Sequence, residues 1–360
     1  MRSVRHYHKY LLVLVATILA VALVNVTGKG GLPTALAEMK AGHQVTGIQR
    51  AIDVQERHTR SLMGVADVVG TAVGLTDDDT PAVMILAKGK LGLGAVPDNL
   101  EGVPVLVREV GELYAMGKPE GKPGRAPKAP KVDATGWFAR PVPIGVSTGN
   151  QGECSAGTIG ARVKDSSGNV YALSNNHVYA LENAAPIHSK VLQPGLYDTN
   201  CALDLNNAIG QLWDNSVLVF GGYNYIDAAI ALSDVNSLGD STPANGYGRP
   251  KAATVPAQVN DQVQKYGRTT GLTKGVIDGV NAIVNVSYEG GIATFVNQIV
   301  VVSRKPFIGA GDSGSLLVTD PDRNPVGLLF AGNSSGKYAI ANPINSVLAA
   351  FDVSIDGELE

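Results

Sequence analysis

The sequence predicts a mainly β protein, preceded by a small α/β region and an apolar N-terminal segment. Three observations lead there. From Trp137 onward, short apolar runs alternate with Gly, Asn, Asp, Ser and Pro, as in brief strands joined by turns. The 43 glycines and 19 prolines among 360 residues supply those turns. A hydrophobic share of 44% against 17% charged residues supports a core and excludes a mainly disordered chain. The net charge of −3 gives no reason to expect a nucleic-acid partner.

Arg2, Arg5 and Lys9 precede the apolar run from Leu11 to Val26, and a basic start before an apolar core reads as an export signal. The run is shorter than the roughly 20 residues of a comfortable membrane span. Ala35-Leu36-Ala37 offers a small-x-small cleavage site. Residues 1–37 are therefore expected to be a signal peptide or a membrane anchor, with possible membrane association through this segment. Either way the rest of the chain is exported, secreted or anchored in the envelope.

Residues 38–116 read as a small α/β domain. A helix is expected from Glu38 to about Met63, with Ile48, Ala51, Ile52, Gln55, Thr59 and Leu62 at helical spacing. Strands follow at Val68–Leu75, Ala82–Leu86 and Val103–Val107. The aspartates of Asp77-Asp78-Asp79-Thr80-Pro81 read as a solvated hairpin tip rather than a calcium site. Residues 117–132 (GKPEGKPGRAPKAPKV) form an extended linker, open to proteolytic nicking.

Residues 133–360 carry the chemistry. Thr158–Val163 and Val170–Leu173 flank the turn Asp165–Asn169 and deliver His177 at a strand end. Val217–Phe220 and Ile226–Leu232 are the next expected strands. Further strands are expected at Gln262–Tyr266, Val276–Ile277, Ala282–Val286, Gln298–Val302, Ser315–Thr319, Val326–Ala331 and Tyr338–Ala341. A short helix at Val347–Phe351 closes the chain. Cys154 and Cys201 are the two cysteines of an exported chain, so a disulfide is expected, around a loop that contains His177. No Cys/His cluster supplies four zinc ligands.

Gly309-Ala310-Gly311-Asp312-Ser313-Gly314-Ser315 precedes the apolar run Leu316-Leu317-Val318. A serine between glycines before a strand suits an exposed nucleophile, because glycine allows a tight turn and close approach of a carbonyl carbon. The N–H groups of Gly311 and Ser313 can then converge as an oxyanion hole. His177 is the candidate base. Asp227 opens an apolar strand, where an unpaired carboxylate is costly, and is the candidate to orient that base. His188, Asp204, Asp214 and Asp234 lie among polar loop residues and read as surface groups.

The order Asn176-His177-Val178, Asp227-Ala228-Ala229-Ile230-Ala231-Leu232 and Gly311-Asp312-Ser313-Gly314 resembles the trypsin/chymotrypsin-like serine protease family. Gly267-Arg268-Thr269-Thr270-Gly271 is similar to a hairpin of its bacterial, streptogrisin/α-lytic-like branch. The resemblance covers roughly residues 133–350. It implies a double six-stranded β-barrel and a serine endopeptidase with catalytic His177, Asp227 and Ser313. It also implies a protein or peptide substrate, and no cofactor or metal. Phe307 then maps near the floor of the primary pocket, and Phe330-Ala331-Gly332 to the strand that pairs with substrate. With no acid at these positions, apolar or small side chains are the expected preference. Two departures stand out. Asp312 lacks the new N-terminus that pairs with this acid in the animal enzymes, and residues 38–116 stand as either a pro-region or a binding module. A non-catalytic peptide-binding protein and an esterase on the same scaffold are the alternatives.

Overall fold

A computed structural model describes residues 32–116 and 132–359, with side chains from residue 45 onward. The apolar start of the expected export segment and nearly all of the linker lie outside the described residues. Contacts divide the chain into residues 1–45 and residues 46–360, and every described strand and the candidate site belong to the second unit. Among the described residues, no helix is long and apolar enough to cross a membrane.

Helix α1 (Leu32–Leu62) starts earlier than its apolar spacing suggested. Ala51, Val54 and Leu62 are buried against Val68, Val73, Val83, Ile85, Leu100 and Val103. The thin apolar stripe is completed by a polar bond. Buried Gln55 donates from Nε2 to Thr71 Oγ1 at 2.9 Å, which satisfies an amide that burial would otherwise penalise.

The strands before the linker are β1 (Val68–Leu75), β2 (Pro81–Ala87), β3 (Asn99–Leu100), β4 (Val103–Glu109) and β5 (Tyr114–Ala115). The next group is β6 (Ser147–Asn150), β7 (Gly157–Thr158), β8 (Ala161–Asp165), β9 (Val170–Ser174), β10 (Lys190–Leu192), β11 (Ala208–Asn215), β12 (Tyr223–Asn224) and β13 (Ala229–Ser233). Between β9 and β10 lies the one-turn helix α2 (Asn176–Tyr179). The last group is β14 (Gln262–Gly267), β15 (Gly271–Tyr288), β16 (Gly291–Val302), β17 (Leu316–Thr319), β18 (Pro325–Gly332), β19 (Tyr338–Pro343), helix α3 (Ile344–Phe351) and β20 (Val353–Ile355).

Two sheets result, and the fold is mainly β as expected. The first is eight-stranded, in the order β20-β8-β9-β13-β11-β10-β6-β7. The second is twelve-stranded, and inside it β14, β15, β16, β19, β18 and β17 pair in turn until β17 returns to β14. That ring is a six-stranded barrel, and its closure leaves no free edge among its members. Leu173, Ile230, Leu316, Leu328 and Ile344 share one buried cluster, so the two sheets are packed through a common apolar layer.

Four expected strands differ from what forms. Val217–Phe220 is not a strand: Val217 and Val219 are exposed, and side-chain oxygens of Asn183 and Asn224 take the N–H groups of Leu218 and Val219 at 2.9 and 2.8 Å. The strand expected from Ile226 begins only at Ala229, which leaves Asp227 in irregular chain just ahead of it. Val276–Ile277 and Ala282–Val286 belong to a single 18-residue strand, β15, whose register slips between Ile277 and Val284. Those bulges bend an otherwise continuous strand.

The outer half of β15 leaves the barrel and pairs with β1, at Gly70↔Val284 and Thr71↔Ile283. Through it β1, β2, β4 and β3 continue the second sheet. Glycine makes this contact possible, since a Cβ at Gly70 would lie 2.7 Å from the Ile283 carbonyl oxygen. The segment expected as a small N-terminal domain thus shares a sheet with the barrel.

Candidate active site

The candidate base and its orienting acid are together. His177 sits in α2, directly after β9, and its Nδ1 lies 2.5 Å from Asp227 Oδ2. Asp227 Oδ1 also accepts from the His177 backbone N–H at 3.3 Å. Asp227 is fully buried, and its peptide unit is held by side chains that mimic a ladder partner. Asn342 accepts the Asp227 N–H at 3.0 Å and donates to its carbonyl at 3.1 Å, while Asn175 donates to the same carbonyl at 2.7 Å. These bonds explain how an acid can precede an apolar strand without one of its own.

A third group on Asp227 was not foreseen. The Tyr288 hydroxyl, at the tip of β15, donates to Asp227 Oδ2 at 2.8 Å, and its ring meets the His177 ring edge-on at 5.8 Å. Burial, and then the Asp227 charge, push the Tyr288 phenol well above its ordinary range, so it stays a donor. His177 Nε2 is buried and has no hydrogen-bond partner.

Ser313 lies in a turn made by two glycines in the left-handed region, Gly311 (φ 96°) and Gly314 (φ 90°). A Cβ at Gly311 would lie 2.7 Å from Thr269 Oγ1, and one at Gly314 would lie 2.3 Å from the Thr158 carbonyl. No other residue fits either position. The turn is tied to the first sheet: Thr158 N–H donates to the Ser313 carbonyl and Thr158 Oγ1 to the Gly311 carbonyl, both at 2.8 Å. Gly157 packs against both sides, with Val178 and the Ser313 carbonyl within reach of a Cβ there, so the His177-bearing segment and the serine turn are neighbours. The Ser313 hydroxyl itself donates to the Phe330 carbonyl at 3.1 Å, not to His177.

Asp312 finds the partner its sequence context lacked. Its Oδ2 accepts from Lys265 Nζ at 3.1 Å, and both side chains are completely buried. Four more donors surround the carboxylate: the N–H groups of Thr269 (2.8 Å), Thr270 (3.2 Å) and Gly309 (2.9 Å), and the Thr270 hydroxyl (2.7 Å). Burial lowers the Lys265 pKa, and the Asp312 charge opposes that shift. The pair clamps the hairpin between β14 and β15 to the serine turn.

The residues expected to meet a substrate already have an occupant. Phe330 and Gly332 lie on β18 beside β5, with Ala331↔Ala115 and Gly332↔Tyr114 antiparallel. Met116 donates its N–H to the Phe330 carbonyl at 3.1 Å, and its carbonyl accepts from the Gly311 N–H. Phe307 is fully buried in the same apolar cluster as Met116, along with Ile308, Val301 and Leu329. The Phe330 ring points elsewhere, into the cluster with Phe295, 4.6 Å away.

Cys154 and Cys201 form a disulfide, 5.2 Å between Cα atoms and 47 residues apart. His188, Asp204, Asp214 and Asp234 are exposed, as expected of surface groups. Inside the disulfide loop, Asp198 pairs with Arg268, whose Nε lies 2.9 Å from Asp198 Oδ2, and both are largely buried. Arg268 follows β14, so this pair also bridges the two sheets next to Gly311.

Comparison with known proteins gives one kind of match. No family model matches the sequence, and no curated protein matches it. Solved structures do. Thermobifida fusca protease A is 17% identical, covering 60% of this chain and 99% of its own, with a TM-score of 0.44. Nocardiopsis protease is 18% identical over 59% of this chain and 98% of its own, with a TM-score of 0.43. Cellulomonas bogoriensis chymotrypsin is 20% identical over 60% and 99%, with a TM-score of 0.41. The chain is similar to bacterial trypsin/chymotrypsin-like serine proteases, as its motifs suggested. At these identities the likeness is one of fold.

Proposed function

We propose that the chain is an exported serine endopeptidase working through an acyl-enzyme. The observation that carries this reading is the His177–Asp227 pair. A histidine held through Nδ1 at 2.5 Å by a buried acid keeps Nε2 free, and that nitrogen is buried without a partner. An orphaned buried nitrogen costs free energy unless the site uses it. Ser313 supplies the nucleophile once its hydroxyl leaves the Phe330 carbonyl for another staggered rotamer. His177 takes the serine proton and returns it to the leaving amine, while Asp227, held by Tyr288 and Asn342, stabilises the imidazolium. Gly311 and Ser313 N–H groups receive the developing oxyanion. Water then hydrolyses the acyl-enzyme.

Phe307 and Phe330-Ala331-Gly332 are assigned to substrate binding, with an apolar or small side chain in the pocket lined by Phe307. The disulfide supports export, because such bonds persist in oxidising compartments. We assign residues 1–37 to the signal or anchor and residues 117–132 to a linker ahead of the protease region.

One observation favours the non-catalytic reading: Ser313 donates to Phe330 rather than to His177. Incubating the full chain with casein and with small acyl esters separates the possibilities. Cleavage of casein that is lost in Ser313→Ala supports an endopeptidase. Ester cleavage without casein cleavage leaves an esterase, and neither leaves a peptide binder.

A further inference from the structure

The loop that follows the His177 helix is held in an unusual conformation. Leu181, Glu182 and Asn183 are consecutive and all left-handed, with φ of 52°, 54° and 77°. Residues with side chains rarely adopt that region, and such strain persists only where the surroundings fix it. Asn183 supplies part of the hold. Its Oδ1 accepts from Asn176 Nδ2 at 2.8 Å and from the Leu218 N–H at 2.9 Å, and its own N–H reaches Asn176 Oδ1 at 3.2 Å. Asn176 immediately precedes His177, so the strained turn is tied to the helix that carries the candidate base.

What the turn presents is the Glu182 carboxylate. It accepts the N–H groups of Glu289 at 3.2 Å and Gly290 at 2.8 Å, 107 and 108 residues away in sequence. Those two residues form the turn between β15 and β16, directly after Tyr288. A Cβ at Gly290 would lie 3.0 Å from Glu182 Oε2 and 2.6 Å from Phe220 Cε2, so a side chain there would push the turn away. After burial and the Asp227 charge, Glu182 adds to the upward push on the Tyr288 phenol, which puts its charge near that hydroxyl. A hairpin tip that only closed a sheet would need no acceptor from the loop behind His177.

We infer that Glu182 is a positioning residue for the proposed reaction: it grips the β15–β16 turn so that the Tyr288 hydroxyl stays on Asp227 Oδ2. The inference rests on the protease reading above. It closes a circuit that runs from His177 through its own loop to Glu182, across to the hairpin turn and Tyr288, and back through Asp227. Glu182 touches no reacting atom, so its loss acts on turnover through Tyr288. Both of its bonds lie near the surface, where water replaces them in part, so the effect is smaller than that of removing the Tyr288 hydroxyl.

A double-mutant cycle on the full chain tests this. Casein hydrolysis is one readout, and the low-field proton resonance of the His177–Asp227 hydrogen bond, followed without substrate, is the other. Glu182→Ala should lower kcat about fivefold with KM within about twofold of wild type, and Glu182→Gln, which keeps an acceptor, should recover most of the loss. In a Tyr288→Phe background, Glu182→Ala should cost less than about twofold, because the contact it protects is already gone. The resonance should move in Glu182→Ala toward its position in Tyr288→Phe. A Glu182→Ala loss of equal size in both backgrounds, or none in either, overturns the inference and leaves the protease reading standing. So does a resonance that moves in Tyr288→Phe but not in Glu182→Ala. If the wild type leaves casein whole, the protease reading falls, and the resonance alone decides whether Glu182 holds Tyr288 in place.

Discussion

Replacing Lys265 with Met removes the cation paired with Asp312 in a site where both side chains are completely buried. Breaking a buried pair by deleting one partner costs about 3–5 kcal/mol, because the other charge stays uncompensated. Asp312 keeps the N–H groups of Gly309, Thr269 and Thr270 and the Thr270 hydroxyl, which puts the loss at the lower end, about 3 kcal/mol. Urea unfolding at about pH 7.5 in a Ser313→Ala background, which prevents self-digestion, reads this. Lys265→Met with Asp312→Asn should recover most of the loss. A single-variant deficit under about 1 kcal/mol would refute the reasoning.

Three further outcomes are expected. Tyr288→Phe keeps the ring and removes one donor to Asp227, which should lower kcat about tenfold; steady-state kinetics check it. Burial depresses the Lys265 pKa, so its proton should leave below the ordinary value of about 10.4. As pH rises between the depressed value and the ordinary one, the unfolded state holds the extra proton, so this group's own contribution to stability increases. The clamp on Asp312 is lost in the same window, and activity should show a reversible alkaline limb there that follows structure around Thr270. Reducing Cys154–Cys201 removes a 47-residue cross-link, worth about 4 kcal/mol by chain entropy; intact mass should rise by two alkylation adducts only after reduction, with a matching fall in Tm.

His177, Asp227 and Ser313 were legible because each carries its own local signature: a strand end, an acid opening an apolar strand, a serine between glycines. The groups that hold them were not. Lys265 is 47 residues from Asp312, Tyr288 is 61 from Asp227, and Asn342 is 115 from Asp227. A lysine or tyrosine inside an alternating strand reads as a solvent-facing residue until the barrel closes and turns it inward. The same holds for β15, where Asp278, Gly279 and Asn281 look like a break but sit in bulges of one strand. Val217–Phe220 erred the other way: its apolar content suggested a strand, yet Asn183 and Asn224 take its N–H groups instead of a neighbouring strand. Met116 showed no sequence signal at all. Its place at Gly311 depends on β1 reaching the outer half of β15, a pairing set by backbone approach at Gly70 rather than by any side-chain pattern.

The central claim is that Ser313 is activated by His177. Labelling the full chain with a serine-reactive fluorophosphonate, beside Ser313→Ala and His177→Ala, tests it most directly. The account predicts covalent labelling of the wild type at Ser313 and none of either variant. Labelling that survives His177→Ala, or its absence from a Met116→Asp variant, whose charged side chain no longer fits the apolar cluster beside the serine turn, would contradict it.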